Sequence, residues 1–148
     1  MSENFENPQP RLIGFLCENG AHVFYDVSNP VRRKLPANFI GLPVASINQV
    51  QASEVLKAFL SGADGVVIAG CEKCRNQKDQ QLHEAHFAAL VQSLTSCDIA
   101  PARLRWEWIS AQEESKFIQL VTDMMESLRQ LPPLRLPPRL AKTISYCG

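Results

Sequence analysis

The segment GVVIAGCEKC, residues 65–74, decides how this chain folds. Its first six residues are an uncharged run of glycine, alanine and β-branched side chains, which is typical of a parallel strand buried on both faces. Two cysteines, Cys71 and Cys74, follow the point where that strand ends. Open α/β sheets bind ligands at the carboxyl ends of their strands, so the position of these thiols indicates a functional site.

Length and composition indicate one globular domain. The chain has 148 residues, enough to bury a hydrophobic core, and 45% of them are hydrophobic while 20% are charged. Its 15 basic residues balance its 15 acidic residues, which argues against nucleic acid or an anionic membrane as the main partner. No apolar run approaches the roughly 20 residues that span a bilayer, so we expect no membrane insertion.

The amino terminus and the cysteines indicate the compartment. Glu3 and Glu6 lie where a signal peptide would carry a basic region followed by an apolar one, so we expect a cytoplasmic protein. The chain has five cysteines, an odd number. In a reducing compartment such a set favours metal binding, redox chemistry or buried thiols over a framework of disulfides.

Strand patterns recur four times along the chain. The first, Leu12–Cys17, is apolar and ends in a cysteine. The second, Phe39–Val44, contains Pro43, which indicates a position at the edge of a sheet. The third is residues 65–70, and the fourth, Leu104–Ile109, alternates in a way that predicts one more exposed face.

Helical patterns lie between these strands. Ala21–Val27 is predicted to form two turns that Pro30 ends. Ser53 is predicted to cap a helix that runs to Leu60 and stops at Gly62.

Two longer helices are predicted in the second half of the chain. One covers about Asp79–Cys97. The other opens with the capping box Ser110–Glu113. Its apolar stripe consists of Phe117, Leu120, Val121, Met124 and Leu128.

Strands that alternate with helices predict an α/β fold of three layers, with a four-stranded parallel sheet in the order 2-1-3-4. In that order the chain reverses direction between the first and third strands, and a crevice opens at their carboxyl ends. Cys17 ends the first strand and Cys71 follows the third. We therefore predict that Cys17, Cys71 and Cys74 converge at one crevice.

The ends of the chain differ from its middle. Residues 1–10 are expected to form a flexible tail and residues 11–131 a single α/β domain. Residues 132–148 begin with the proline-rich phrase PPLRLPPRL, which cannot continue a helix and is expected to run extended. This tail is expected either to be disordered or to lie against a partner.

Three converging thiols suit a soft metal ion or an iron–sulfur centre, because thiolate is the preferred ligand of both. Cys71 and Cys74 also have the spacing of a redox dithiol, and Lys73 and Arg75 would favour the thiolate form in either case. Inert buried thiols are the third alternative.

Other polar and aromatic residues favour structural roles. Cys97 lies on the apolar stripe of its helix and is expected to be a small buried side chain. His83 and His86 are expected to belong to a solvated first turn rather than to a metal site. Trp106 and Trp108 share one face of the fourth strand and are expected to pack under a helix. Because no glycine-rich phosphate loop follows any strand, nucleotide chemistry is not expected.

Several blocks carry a family resemblance. The blocks are GFLC at 14–17, AF at 58–59, GADGV at 62–66, GC at 70–71, P-x-RLR at 101–105 and EWISA at 107–111. From about residue 11 to residue 131 the chain resembles the family of the delta subunit of methyl-viologen-reducing hydrogenase. The resemblance implies a flavodoxin-like domain that holds a 2Fe-2S cluster. It further implies a relay of electrons between a hydrogenase or formate dehydrogenase and a flavin-containing subunit of a heterodisulfide-reductase-type complex.

The family's cysteine pattern maps onto this chain in part. That pattern has C-x-x-C after the first strand, one cysteine after the second and C-x-x-x-x-C after the third. Cys17 and Cys71 match, and Cys74 fits the last cysteine if two residues are deleted, whereas Gly20 and Ser46 occupy the two remaining positions. The resemblance thus implies Cys17, Cys71 and Cys74 as cluster ligands.

A 2Fe-2S cluster needs four protein ligands. The fourth would be Cys147 folded back, a histidine or a residue of a partner, because the alkoxide of Ser46 forms far less readily than a thiolate.

Three functions remain open from the sequence. The first is an electron-transfer subunit that binds an iron–sulfur cluster. The second is a docking subunit of the same kind of complex that has lost its cluster, which the depleted cysteine set and the proline-rich tail favour. The third is a thiol–disulfide protein that uses Cys71 and Cys74.

Overall fold

A computed structural model describes residues 7–136 of the chain. The strands are β1 (Leu12–Cys17), β2 (Phe39–Val44), β3 (Gly65–Gly70) and β4 (Leu104–Trp108). The α-helices are α1 (Ala52–Leu60), α2 (Glu72–Asn76), α3 (Gln80–Ser96) and α4 (Glu114–Arg129). Short 3₁₀ turns occupy Ala21–Phe24, Pro30–Lys34, Ile47–Gln49 and Pro101–Arg103. No helix among these residues is long and apolar enough to cross a bilayer.

The four strands form one parallel sheet in the order β2-β1-β3-β4, which confirms the predicted fold class and strand order. Every residue of β3 is buried, because this strand has a neighbour on each side and a layer on each face. Strand β2 lies at the edge, as Pro43 predicted. Since all strands run the same way, their carboxyl ends meet along one edge of the sheet.

Side chains that alternate along β3 separate the two faces of the core. Val66 and Ile68 pack in one cluster with residues of α1 and α3. Val67 and Ala69 pack in a second cluster with the apolar stripe of α4, whose predicted members are all buried. The sheet therefore lies between two layers of helices and turns.

Two predicted helix starts are wrong. Helix α1 begins at Ala52 with Gln51 as its N-cap, because Gln51 and Glu54 exchange side-chain to backbone hydrogen bonds; Ser53 lies inside the helix. Gly62 has a φ of 117°, as its predicted role as the stop requires.

Helix α4 also begins later than predicted, at Glu114. The Ser110 backbone N–H does donate to Glu113 Oε1 (2.9 Å), but Ser110 Oγ accepts from Gln112 N (3.3 Å) rather than from Glu113 N. The expected capping box is thus a turn that precedes the helix.

The segment after β1 forms turns rather than the predicted helix. Only Ala21–Phe24 is helical, as a single 3₁₀ turn. Pro30 begins a second turn, Pro30–Lys34, instead of ending the first. A proline at the first position of such a turn gives up no hydrogen bond, because the N–H that it lacks would have no partner there.

A hydrogen-bonded network closes the amino-terminal end of the sheet around Asp64. Its two carboxylate oxygens accept from Arg11 N (2.9 Å) and Leu134 N (3.0 Å). Its carbonyl oxygen accepts from Arg103 Nη1 (2.9 Å), and Arg103 Nη2 donates to the carbonyl of Pro132 (2.7 Å). The described part of the proline-rich tail is therefore held against its own domain.

Candidate metal centre

Three cysteines meet at the carboxyl edge of the sheet. Cys17 is the last residue of β1, Cys71 follows β3, and Cys74 lies in α2. The Sγ–Sγ distances are 3.1 Å for Cys17–Cys71, 3.6 Å for Cys17–Cys74 and 3.5 Å for Cys71–Cys74. The predicted convergence is confirmed, and these three thiols form a group that could hold a metal ion. Their role as ligands remains a prediction.

Helix α2, which the sequence analysis did not anticipate, places two of the thiols. Cys71 is its N-cap, in an extended conformation, and Cys71 Sγ accepts from Cys74 N at 3.5 Å. One helical turn brings Cys74 back beside Cys71, because residues three apart lie on the same face of a helix. A helix of five residues is too short to show a periodic pattern in sequence.

The thiols are shielded from water. The exposed fractions of Cys17, Cys71 and Cys74 are 0%, 3% and 2%. Gly70 allows the neighbouring side chains to close over the site, since a Cβ there would lie 2.6 Å from the Trp108 ring and 2.7 Å from Ile47 Cγ1. Thiolate charge in such surroundings is unfavourable unless a cation compensates for it.

The protonation states of the thiols differ. Burial and hydrogen bonding to Cys71 raise the pKa of Cys17 to about 12. Burial also acts to raise the pKa of Cys74, but hydrogen bonds with the Ser46 hydroxyl and the Ile47 backbone outweigh it and lower that pKa. Cys74 is therefore the better thiolate of these two.

The two positions that the resemblance assigns to further cysteines border the three thiols. Ser46 Oγ lies 3.5 Å from Cys74 Sγ. A Cβ built on Gly20 would lie 3.0 Å from Cys71 Cβ and 2.6 Å from the carbonyl oxygen of Ile109. Five positions of the chain thus surround one site, and three of them carry thiols.

Two amides beside the site were missed from sequence. Asn48 Nδ2 donates to the carbonyl of Cys74 (3.1 Å) and to Gln77 Oε1 (2.8 Å). These contacts attach the segment after β2 to helix α2 and hold Ser46 beside Cys74. Their only signal in the sequence is that Asn48 follows a strand that ends at the same edge of the sheet.

The histidines do not join the thiols. His83 is buried, and its Nε2 lies 2.9 Å from the carbonyl of Arg75, while His86 Nε2 lies 2.8 Å from the carbonyl of Val50. The prediction of a solvated first turn is therefore wrong, because this turn packs on Trp106 and Trp108. The ring centroids of His83 and Trp108 are 4.7 Å apart, and those of His86 and Trp106 are 5.1 Å apart. The predicted packing of both tryptophans under a helix is confirmed.

The remaining cysteines do not supply a fourth thiol in the described part of the chain. Cys97 is fully buried in the core, as predicted, and is not one of the three grouped thiols. Cys147 lies outside residues 7–136.

Comparison with known proteins places the chain among hydrogenase subunits. The family model of the methyl-viologen-reducing hydrogenase delta subunit matches residues 12–132. The iron-sulfur subunit of the F420-non-reducing hydrogenase of Archaeoglobus profundus is 28% identical over 137 residues, which cover 91% of this chain and 98% of the relative. The vhc iron-sulfur subunit of the F420-non-reducing hydrogenase of Methanococcus voltae is 29% identical over 144 residues, covering 96% and 98% of the two chains.

A third relative is a much longer protein. It belongs to the ferredoxin:CoB-CoM heterodisulfide reductase of Methanosarcina mazei and is 26% identical over 148 residues, which make up 88% of this chain and 19% of the relative. The match of the family model over most of the chain confirms the resemblance noted in the sequence. The chain belongs to the family of the methyl-viologen-reducing hydrogenase delta subunit.

Proposed function

We propose that this protein is an electron-transfer subunit of a cytoplasmic redox complex and that Cys17, Cys71 and Cys74 bind its iron–sulfur centre. The observation that carries the proposal is the meeting of three buried thiols at the ligand-binding edge of the sheet. The names of two relatives, both iron-sulfur subunits of hydrogenases, support it. Family membership supports the same role.

The donor set suits iron. Thiolates are the usual protein ligands of iron–sulfur centres, and such a centre, when bound, supplies one-electron oxidation and reduction. The chain's own residues exclude water, since the three cysteines are at most 3% exposed. The family implies a 2Fe-2S cluster, for which Cys17, Cys71 and Cys74 would provide three of the four protein ligands.

The proposed partners lie on either side of such a centre. One is a flavoprotein of the heterodisulfide reductase type, and the other is a hydrogenase or a formate dehydrogenase. The match to 19% of the longer Methanosarcina mazei protein supports the first partner, because a domain similar to this chain forms part of that protein. Electron transfer between two proteins requires contact with both, so the chain is expected to act within a complex.

A docking subunit without a cluster is the second candidate. The observation that favours it is the presence of Gly20 and Ser46 where the family pattern has cysteines. The dithiol function is less well supported, because Cys71 and Cys74 are 3% and 2% exposed and a partner's disulfide must reach the attacking thiolate.

Metal analysis of the native complex tests the proposal. The tagged full-length chain is isolated from its own cells without oxygen, and iron, acid-labile sulfide, the visible spectrum and the co-purifying proteins are determined. We expect iron that dithionite reduces reversibly, together with a flavoprotein of the heterodisulfide reductase type. Iron should be lost in Cys71→Ser and retained in Cys97→Ser, the matched control for loss of one buried thiol.

The alternatives give different results. An intact complex that contains no iron in this chain would overturn the electron-transfer role and support docking. A metal-free chain whose Cys71 and Cys74 oxidise and reduce reversibly as a pair would support the dithiol function.

A further inference from the structure

The spacing of the three thiols bears on how many metal ions the site holds. Thiolates on one tetrahedral metal ion lie about 3.8 Å apart when the metal–sulfur distance is about 2.3 Å. The three Sγ–Sγ distances, 3.1, 3.5 and 3.6 Å, are all slightly shorter than this. Each thiol is therefore close enough to both others to share one ion with them.

A two-iron cluster imposes a different arrangement. Its four protein ligands divide into two pairs, one pair on each iron, so at most two of any three ligands share an iron. The third ligand then lies farther from the other two than ligands of one ion do. Cys17, Cys71 and Cys74 show no such division, because their longest and shortest Sγ–Sγ distances differ by only 0.5 Å (3.6 Å against 3.1 Å).

The chain also limits the room on one side of the site. Gly20 forms an isolated antiparallel bridge with Ser110, which joins the segment after β1 to the segment after β4. A side chain at position 20 would meet the carbonyl oxygen of Ile109, 2.6 Å from its Cβ. Backbone thus occupies the side from which the family pattern supplies a fourth or fifth thiol.

Ser46 offers a donor on another side. Its Oγ lies 3.5 Å from Cys74 Sγ, a distance comparable to those between the thiols. The hydroxyl is held in place because it accepts from Asn48 N at 3.2 Å, as the N-cap of the turn Ile47–Gln49. A hydroxyl oxygen is a weaker ligand for a soft ion than a thiolate, but it can complete a four-coordinate set.

We infer that the site is built for a single thiophilic divalent ion, Fe²⁺ or Zn²⁺, held by Cys17, Cys71 and Cys74 with the Ser46 hydroxyl at the fourth position. The inference rests on the proposed function in that it specifies the metal content of the same site. With iron the ion can carry one electron. With zinc it cannot, because zinc has no redox chemistry, and the ion would stabilise the structure of a docking subunit.

Cobalt(II) reports on this ligand set without any assay of activity. Co²⁺ is titrated without oxygen into the metal-free full-length chain with reduced thiols, and the visible spectrum is recorded. We expect saturation at one ion per chain, with the intense ligand-field bands of four-coordinate cobalt and sulfur-to-cobalt charge-transfer bands. Zn²⁺ added afterwards should displace the cobalt. Saturation at two ions per chain, or no saturable binding, would overturn the inference.

Variants at position 46 test the fourth ligand. Ser46→Ala should weaken cobalt binding about tenfold, in the range found when groups around a metal site are removed. Ser46→Cys should strengthen binding and increase the charge-transfer absorption by the contribution of one further thiolate. Cys97→Ser should leave both unchanged. If neither Ser46 variant alters the affinity or the spectrum, Ser46 is not a ligand.

Analysis of the native protein separates this inference from the proposed function. One iron per chain without acid-labile sulfide supports both. Two irons and two sulfides per chain would overturn the single-ion site and leave the electron-transfer role standing. One zinc per chain would support the single-ion site and overturn the electron-transfer role.

Discussion

The two ends of β3 carry buried polar groups with opposite properties. Asp64 precedes the strand, and its carboxylate and carbonyl oxygens accept hydrogen bonds from Arg11, Leu134 and Arg103. Cys71 follows the strand, and the hydrogen-bond partners of its Sγ are the thiols of Cys17 and Cys74 and the N–H of Cys74. One end is saturated by donors from the rest of the fold, whereas the other is a group of like side chains that contact one another.

The difference shows how a structural network and a ligand site can be told apart. A buried group that has all its hydrogen-bond partners contributes to stability, and removing it leaves those partners unsatisfied. Three thiols that contact mainly one another hold little of the fold together. They are available to a metal ion. Variants at the amino-terminal end should therefore change stability, and variants at the carboxyl-terminal end should change metal binding.

The largest effect on stability is expected for Asp64→Asn. The amide presents an NH₂ group to one of the backbone donors that the carboxylate accepts, so the free energy of unfolding should fall by about 3 kcal/mol. Urea unfolding followed by tryptophan fluorescence measures this change. Asp123→Asn, on the exposed face of α4, is the control and should change stability by less than about 0.5 kcal/mol. A loss below about 1 kcal/mol for Asp64→Asn would show that the network is not structural.

Gly20→Cys is expected to have the next largest effect. Its Cβ would lie 2.6 Å from the Ile109 carbonyl oxygen, so the backbone must shift, at a cost of about 2 kcal/mol. Ser46→Cys restores the other family cysteine, where a side chain already fits, and should cost less than about 0.5 kcal/mol. Thermal unfolding of the two metal-free variants compares them directly. Equal melting temperatures would contradict the view that the site is contracted at Gly20.

Asn48→Ala should have a smaller effect on stability and a measurable effect on the site. Removing the amide deletes its hydrogen bonds to the Cys74 carbonyl and to Gln77, which should lower the free energy of unfolding by about 1 kcal/mol. Because these bonds hold Ser46 beside Cys74, the affinity for Co²⁺ should fall about tenfold. Unchanged affinity would separate Asn48 from the site.

Cys71→Ser should have the smallest effect on the metal-free protein. Cys71 is the N-cap of α2, and serine is among the preferred N-caps, so the free energy of unfolding should change by less than about 1 kcal/mol. The same substitution should abolish metal binding. Urea unfolding with and without Zn²⁺ measures both, since Zn²⁺ should stabilise only the native sequence. A large loss of stability without metal would make the thiols part of the structural core.

Much of the fold could be predicted from the sequence, because its signals lie within single elements. The uncharged run of β3 predicted a strand buried on both faces, and Asp79–Cys97 matched α3 with its two caps. The strand order followed from the handedness of the crossovers, and with it the meeting of Cys17 with Cys71. Short elements were less predictable: a single 3₁₀ turn or a five-residue helix leaves no periodic pattern.

Only the tertiary structure decided which residues surround the thiols and how closely. That Ser46 lies beside Cys74, that Gly20 pairs with Ser110, and that His83 is buried against Trp108 depend on how loops pack together. The network of Asp64 joins residues from positions 11 to 134 and has no local signature either. Periodicity reports the environment of one element, whereas these contacts form only after the sheet has brought distant segments to the same edge.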